Sequence, residues 1–298
     1  MEKKFKSGFV SIIGRPNVGK STLINSFMGE RLNIISSKPQ TTRNTIKCIY
    51  TKDDFQVVFI DTPGIHKPKH KLGEYMVNTA VQSLKGVDIV VALIDCSMQI
   101  GTGDLFIFNI VKEAKMKKIL ALNKIDKVSK HDLEGALAKI TEYQDIFDAI
   151  IPISAMEGNN MDILLKKIKE LLPEGPMYFP DDMIIDMPER FIVAEYIREK
   201  ILLFTKEEIP HGTAVEVISM KERTDKDLID IEVNIYCDKK SHKGIIIGKD
   251  GNMIKDIGSK ARIDIDNLLD IKVNLQLWVK VRKDWRDNPS ALKDLGYR

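Results

Sequence analysis

Residues Gly14, Arg15, Pro16, Asn17, Val18, Gly19, Lys20 and Ser21 fit the pattern GxxxxGK[ST]. This is a loop whose backbone N–H groups wrap a polyphosphate, with a helix N-terminus adding positive partial charge. Lys20 is placed to reach the β- and γ-phosphates. The Ser21 hydroxyl is placed to bind Mg²⁺, and Thr22 continues the helix. Three further groups follow in order. Asp61, Thr62, Pro63 and Gly64 end an apolar run; there a carboxylate can hold Mg²⁺ through water and the Gly64 N–H can meet a γ-phosphate. Asn123, Lys124 and Asp126 form NKxD. The Asp126 carboxylate can accept hydrogen bonds from N1–H and the 2-amino group of guanine, while the Lys124 stem packs on the base. Adenine lacks both donors and would leave the acid desolvated and unpaired. Ser154 and Ala155 end a later run, where a backbone N–H can reach guanine O6. The set reads as a GTP site.

These groups need strands to aim them. Apolar, Val/Ile-rich runs at 9–13, 45–51, 55–61, 87–94, 118–122 and 149–153 alternate with helical patterns at 22–28, 72–84, 103–114, 133–143 and 161–172. Near-continuous apolar strands between helices predict an open, mostly parallel α/β sheet covered on both faces. Ligands of such sheets sit at the C-terminal strand ends, where the candidate groups fall. Pro173, Pro176, Pro180 and Pro188 then mark residues 173–188 as a stiff linker after a first domain of residues 1–172.

Residues 189–298 read differently. A helix at 189–204 and strands at 213–220 and 228–237 precede an apolar run with glycines at 244–251, a helix at 253–269 and a strand at 271–281. Ile245, Ile247, Gly248, Lys249, Asp250 and Gly251 carry a GxxG loop between two apolar stretches. Such a loop clamps about four nucleotides of single-stranded nucleic acid in KH modules. The order helix–strand–strand–helix–helix–strand matches a type II KH fold, a smaller α+β unit. Charge is segregated as well. Residues 182–238 hold 7 basic and 14 acidic side chains, and residues 239–298 hold 14 basic and 8 acidic. The basic half surrounds the GxxG loop and the terminal strand, as an RNA-facing surface should. Lys280, Arg282, Trp285 and Arg286 are candidates for phosphate contact and base stacking. Trp278 reads equally as core and as surface; Trp285 and Arg286 read as exposed.

The 298 residues, 43% hydrophobic and 30% charged, suit a soluble protein of about two domains. Three scattered cysteines, Cys48, Cys96 and Cys237, exclude a disulfide framework and point to a reducing compartment. No stretch has the length of a membrane span.

The residues around the phosphate loop, GRPNVGKS, and the later Pro39-Gln40-Thr41-Thr42-Arg43 resemble the Era/TrmE/EngA group of translation-factor-related GTPases. One such domain, a Pro-rich linker and a terminal GxxG domain resemble the Era family in particular, over nearly the whole chain. The resemblance implies GTP and GDP as ligands, Mg²⁺ held by Ser21, Thr42 and Asp61, and a slow intrinsic GTPase. It implies a switch loop over residues 30–44 in which Thr42, with Thr41 as runner-up, orders on the γ-phosphate. It implies RNA binding near the 3′ end of 16S ribosomal RNA and a role in small (30S) subunit assembly. Location in the cytoplasm, with peripheral membrane contact and a monomeric state, goes with it. The position after DTPG is Ile65, which cannot orient a water as glutamine does in Ras-like proteins. Asn17, shared with potassium-activated relatives, then implies a K⁺ ion beside the phosphates, so that Lys20, Thr42, Gly64 and Asn17 form the catalytic set. Arg43 is a weaker candidate for the same charge. Two alternatives remain: a membrane-proximal GTPase whose last domain binds protein, and an RNA-binding protein for which GTP is only structural.

Overall fold

The computed structural model describes residues 5–29 and 41–297. The chain divides into two compact units, with the main boundary between Asp186 and Met187.

The first unit is a six-stranded sheet in the order β2-β3-β1-β4-β5-β6. Its strands are β1 (Lys6–Gly14), β2 (Ile46–Lys52), β3 (Phe55–Asp61), β4 (Ile89–Asp95), β5 (Lys117–Asn123) and β6 (Ala149–Pro152). All neighbours run parallel except the β2–β3 hairpin. The helices are α1 (Lys20–Met28), α2 (Lys71–Gln82), α3 (Thr102–Lys112), α4 (Lys130–Ile140) and α5 (Met161–Leu171). All seven residues of β3 are buried, as expected of a strand with helices on both sides. One core cluster joins Val90, Ala92, Leu120 and Leu122 to Ala80, Ile107, Phe108, Val111 and Ile140 of α2, α3 and α4. Elsewhere Phe27 of α1 stacks on Phe59 of β3, ring centroids 5.0 Å apart. Parallel register brings Gly14, Asp61, Asp95, Asn123 and Pro152 to one edge of the sheet.

The proline-rich segment is not a free spacer over residues 173–186, which belong to the first unit. Fully buried Gln56 donates to the Phe179 carbonyl (2.8 Å) and accepts the N–H groups of Tyr178 (2.8 Å) and Phe179 (3.0 Å). Tyr178 packs on Phe9 (5.0 Å). Further on, Ile49 N–H donates to Ile184 and Asp186 N–H to Lys47, so the segment lies antiparallel to β2. Prolines suit such a segment because an outer strand needs only part of its N–H groups.

The second unit contains α6 (Glu189–Phe204), β7 (Thr213–Glu222), β8 (Leu228–Cys237), α7 (Lys240–Ile247), α8 (Asn252–Leu269), β9 (Lys272–Val281) and α9 (Pro289–Asp294). Its sheet is β7-β8-β9, antiparallel then parallel, in the element order expected from the sequence. The run at 244–251 resolves into the end of α7 and a 3₁₀ turn at Lys249–Gly251. Ile231, Val233 and Ile235 of β8 alternate into the core, and Ile257, Ala261 and Ile265 of α8 are fully buried as well. The α6 helix also buries charge: Arg198 binds Glu195, and Lys200 binds Glu199 (2.8 Å) and Asp264.

Gln56→Ala removes three hydrogen bonds that hold residues 178 and 179. It is expected to cost about 1–3 kcal/mol of stability, the range for leaving buried polar groups unpaired. Denaturant unfolding checks the magnitude. Hydrogen exchange should show the loss of protection concentrated at Tyr178 and Phe179.

Candidate functional site: a nucleotide edge and a GxxG loop

At the edge of the first sheet, the loop between β1 and α1 closes around its own lysine. Lys20 Nζ donates to the carbonyls of Gly14 (3.3 Å) and Arg15 (3.0 Å). Gly19 precedes α1 at φ +102°, a left-handed conformation, and a Cβ there would collide with the Asn123 amide. Only glycine meets both demands. Ile65 N–H donates to Gly14 (3.0 Å), which seats the DTPG turn on the loop. Thr62 Oγ1 donates to the Ile12 carbonyl (2.6 Å), tying the same turn to β1. Pro63 is buried beside it, and Ile65 is 1% exposed.

Ser21, Thr42 and Asp61 come together. Ser21 Oγ donates to Asp61 Oδ2 (2.7 Å), Thr42 Oγ1 donates to the same oxygen (3.3 Å), and the two hydroxyls lie 3.1 Å apart. The other carboxylate oxygen, Asp61 Oδ1, is buried without a hydrogen-bond partner. One carboxylate and two hydroxyls, with an oxygen still to satisfy, are the hard donors that Mg²⁺ takes alongside phosphate oxygens. Among the described residues no group of three or more His, Cys, Asp or Glu side chains is placed to hold a metal ion by itself. Burial pushes Asp61 up from its ordinary pKa, opposed by Lys20, Ser21, Thr42 and the Thr62 backbone. Burial likewise lowers Lys20 to about 8, against the pull of Asp61. Residues 30–40 of the expected switch loop lie outside the described residues. Of the two threonines beyond them, Thr42 is the one beside Ser21 and Asp61.

The base end is equally tied together. Asn123 Nδ2 donates to Val18 (2.7 Å) and Asn123 Oδ1 accepts Ala155 N–H (2.9 Å). Ser154 Oγ donates to Asp126 Oδ1 (2.5 Å), orienting an exposed carboxylate. The sequence suggested a backbone N–H at Ser154-Ala155 for guanine O6. The structure commits both: Ser154 N–H goes to the Asn159 carbonyl (3.1 Å) and Ala155 N–H to Asn123. Here the pair braces the NKxD loop. Lys124 Nζ donates to the Asn17 carbonyl (2.7 Å) and to Asp95 Oδ2 (2.6 Å), so base loop and phosphate loop share one cation. Asn17 and Lys124 both have left-handed backbone, φ +64° and +69°.

Asp95 and Asp104 escaped the sequence reading. Asp95 ends β4, and its second oxygen accepts Ser97 N–H and Oγ. Despite partial burial, those hydrogen bonds and Lys124 keep its pKa below the usual carboxylate range. Asp104 accepts from Arg15 (2.9 Å) and from Gly101 N–H (2.9 Å), pinning the phosphate loop to α3. The available signal was an aspartate at the C-terminal end of a strand, where ligand-edge residues gather.

In the second unit, Gly248 ends α7 at φ +76°, and a Cβ there would meet Met253 at 2.6 Å. Lys249 and Asp250 project from the loop, and Gly251 follows in a left-handed conformation. Ile245 is 48% exposed, Ile247 half-buried and Ile246 fully buried. An exposed cation beside partly open isoleucines is the arrangement expected for clamping a nucleic-acid backbone.

Two expected RNA contacts are corrected. Trp285 is fully buried; its Nε1–H donates to the Gly212 carbonyl (3.0 Å) and its ring stacks on Tyr297 (6.0 Å). Asp284 takes a left-handed turn just after β9 and directs the next residue inward. Arg286 follows it to buried Asp238 (2.8 Å), where its charge is spent. Lys280 is exposed, and Arg282 lies over the Tyr236 ring and on Asp294 (2.6 Å).

A family model described as a 50S ribosome-binding GTPase matches residues 9–124, and a KH domain model matches residues 208–286. Fold and site thus define a P-loop GTPase joined to a KH domain. GTPase Era of Alkaliphilus metalliredigens is 57% identical over 293 residues (98% of this chain, 99% of that one), and that of Clostridioides difficile 53% with the same coverage. The chain belongs to the Era family of GTPases; it hydrolyses GTP to GDP and uses Mg²⁺. A solved Era in complex with MgGDPNP and nucleotides 1506–1542 of 16S ribosomal RNA matches with TM-score 0.95 and 39% identity, covering 98% of this chain and 99% of that one. A point variant of Aquifex aeolicus Era bound to GDP and AlF₄⁻ matches with TM-score 0.94, at the same identity and coverage.

Two outcomes are expected. A polyphosphate favours the charged form of Lys20, and above pH 8 the free protein must take up a proton to provide it. GDP affinity should therefore be level near pH 7 and fall toward tenfold per pH unit above 8. Lys20→Arg should remove that bend, because arginine keeps its proton. Titrations between pH 7 and 9 test this. Asp95→Ala removes a charge-assisted hydrogen bond of about 1.5–3 kcal/mol from Lys124 and should speed GDP release about tenfold or more, read by chase of a fluorescent GDP.

Proposed function

We propose that residues 1–172 form a nucleotide switch that acts through residues 173–188 on an RNA-binding domain of residues 189–298. The RNA is single-stranded, near the 3′ end of 16S ribosomal RNA, and the protein assists assembly of the 30S subunit. The observation that carries this reading is the presence, in one chain, of a nucleotide edge that joins Ser21 to Asp61 and Lys124 to Asp95, and a GxxG loop with exposed Lys249. The rRNA complex of the similar Era supports the choice of RNA.

In the mechanism, Lys20 and the loop N–H groups hold the phosphates, and Ser21, Asp61 and Thr42 hold Mg²⁺, which neutralises charge developing on the γ-phosphate. Asp126 and Lys124 select and pack the base. Thr42 and Gly64 sense the γ-phosphate, and their release after hydrolysis resets the switch. Ile65 is buried and cannot orient water; Asn17 would help hold a K⁺ ion, which would supply the missing charge stabilisation. On this reading the protein is a cytoplasmic monomer whose contact with the membrane is peripheral. Among the described residues no helix is long and apolar enough to cross a membrane.

Cross-linking the GTP-bound protein to RNA in cells should recover small-subunit rRNA near its 3′ end, and recovery should fade in Ser21→Asn. If no specific RNA is recovered, the last domain serves a protein or membrane partner instead. Binding free energies must also be reciprocal: if GTP tightens RNA binding, RNA tightens GTP binding by the same factor. GTP turnover should be several-fold faster in K⁺ than in Na⁺ at equal ionic strength; equal rates would eliminate the cation.

A further inference from the structure

We infer that the face of the β7-β8-β9 sheet turned away from α6 and α8 is a second RNA contact, with Trp278 as the platform on which an unpaired base stacks. This rests on the RNA-binding reading above and extends it from the GxxG loop to a surface that loop does not include.

Side chains along a strand alternate between faces. In β9, Val273 and Val279 are buried, whereas Trp278 is 43% exposed and Lys280 is exposed. Register places Trp278 opposite Asn234 and Lys280 opposite Tyr236 on β8, while Gln276 pairs with Glu232. The same face therefore carries an indole, a phenol one diagonal step away, the exposed Gln276 amide and a lysine, while Asn234 beneath them is buried and donates to the Tyr236 hydroxyl (3.2 Å). Arg282 adds a guanidinium over the Tyr236 ring.

The surroundings favour RNA over protein. The core of a protein interface is apolar around its aromatic anchors. Here the indole stands between exposed Gln276 and exposed Lys280, groups suited to base edges and phosphate. The acidic groups on the face are largely engaged. Asp230 is held by Arg223 (2.7 Å) and by the Asn274 amide (2.7 Å), and Arg223 keeps it ionised with a pKa near 2. Glu216 accepts the Tyr236 hydroxyl (2.8 Å). Glu232 remains, opposite Gln276 and Ser219, and sets the limit of the footprint toward β7. Sequence-tolerant stacking on an exposed aromatic beside cations is how single strands are held without base readout. Of the two readings the sequence left open for Trp278, the structure has the exposed one, while Trp285 is buried.

The chain has two tryptophans, so 5-fluorotryptophan labelling of the full-length protein yields two ¹⁹F resonances. Trp278→Phe removes one and assigns it. The probe is an RNA spanning nucleotides 1506–1542 of 16S ribosomal RNA, with its affinity measured separately by anisotropy. Saturation should shift the Trp278 resonance and leave that of buried Trp285 in place. Trp278→Ala should lose roughly 10–100-fold in RNA affinity, consistent with one stacked base, with Trp278→Phe between it and the parent. If RNA binds, the Trp278 resonance stays fixed and Trp278→Ala binds as tightly as the parent, this face is not an RNA contact, while the GxxG reading survives. If the parent does not bind RNA at all, both readings fall together. Melting temperatures of the two variants within a few degrees of the parent separate lost contact from lost fold.

Discussion

Lys20 and Asp61 are opposite charges buried at one end of a parallel sheet, and the rest of the first unit is arranged around keeping them there. Burial pushes each toward its neutral form, and each resists through the other and through hydrogen bonds from the loop, Ser21 and Thr42. A polyphosphate and a divalent cation are the two species that would restore full charge to both. The neighbouring parallel strands β1 and β3 make this possible: their register sets Ile12 against Asp61 and so delivers the carboxylate to the loop that carries the lysine. The remaining contacts extend that arrangement sideways. Lys124 bridges Asn17 and Asp95, and Asn123 bridges Val18 and Ala155. Phosphate and base ends are consequently one connected object.

The legible part of the sequence was the part whose function depends on contiguous residues. A glycine loop, DTPG, NKxD and GxxG each work as a short stretch, and alternating apolar runs located the strands that present them. What escaped depends on residues far apart in the chain. Gln56 holds Tyr178 and Phe179 more than 120 positions away, so residues 173–188 read as a stiff linker while this part of them is bound to the first sheet. Asp95 gains its role only from Lys124, 29 positions along the chain. Trp285 read as exposed, yet it is buried, because the chain passes through a left-handed residue, Asp284, just before it.

The charge segregation of the second unit has a structural side as well. Glu195 and Glu199, within its acidic half, are consumed by Arg198 and Lys200 inside α6. Asp238 consumes Arg286, and Asp294 engages Arg282. Formal counts therefore exaggerate both the negative and the positive surface. Among the cations that stay exposed, Lys249 stands on the GxxG loop and Lys280 on the terminal strand.

The seam between β2 and residues 184–186 bears on how the nucleotide-binding half behaves alone. β2 is the outermost strand of the six-stranded sheet, and such a strand is a template for pairing with other chains. In this protein the chain supplies its own cover, through the Ile49–Ile184 and Lys47–Asp186 backbone bonds. A fragment ended at residue 172, where the α/β pattern stops, would present a bare, half-apolar edge and invite self-association. One carried through Asp186 would keep its sheet closed. The natural end of the first folding unit thus lies fourteen residues beyond the last residue of its sequence pattern, at the far side of the segment that guards the sheet.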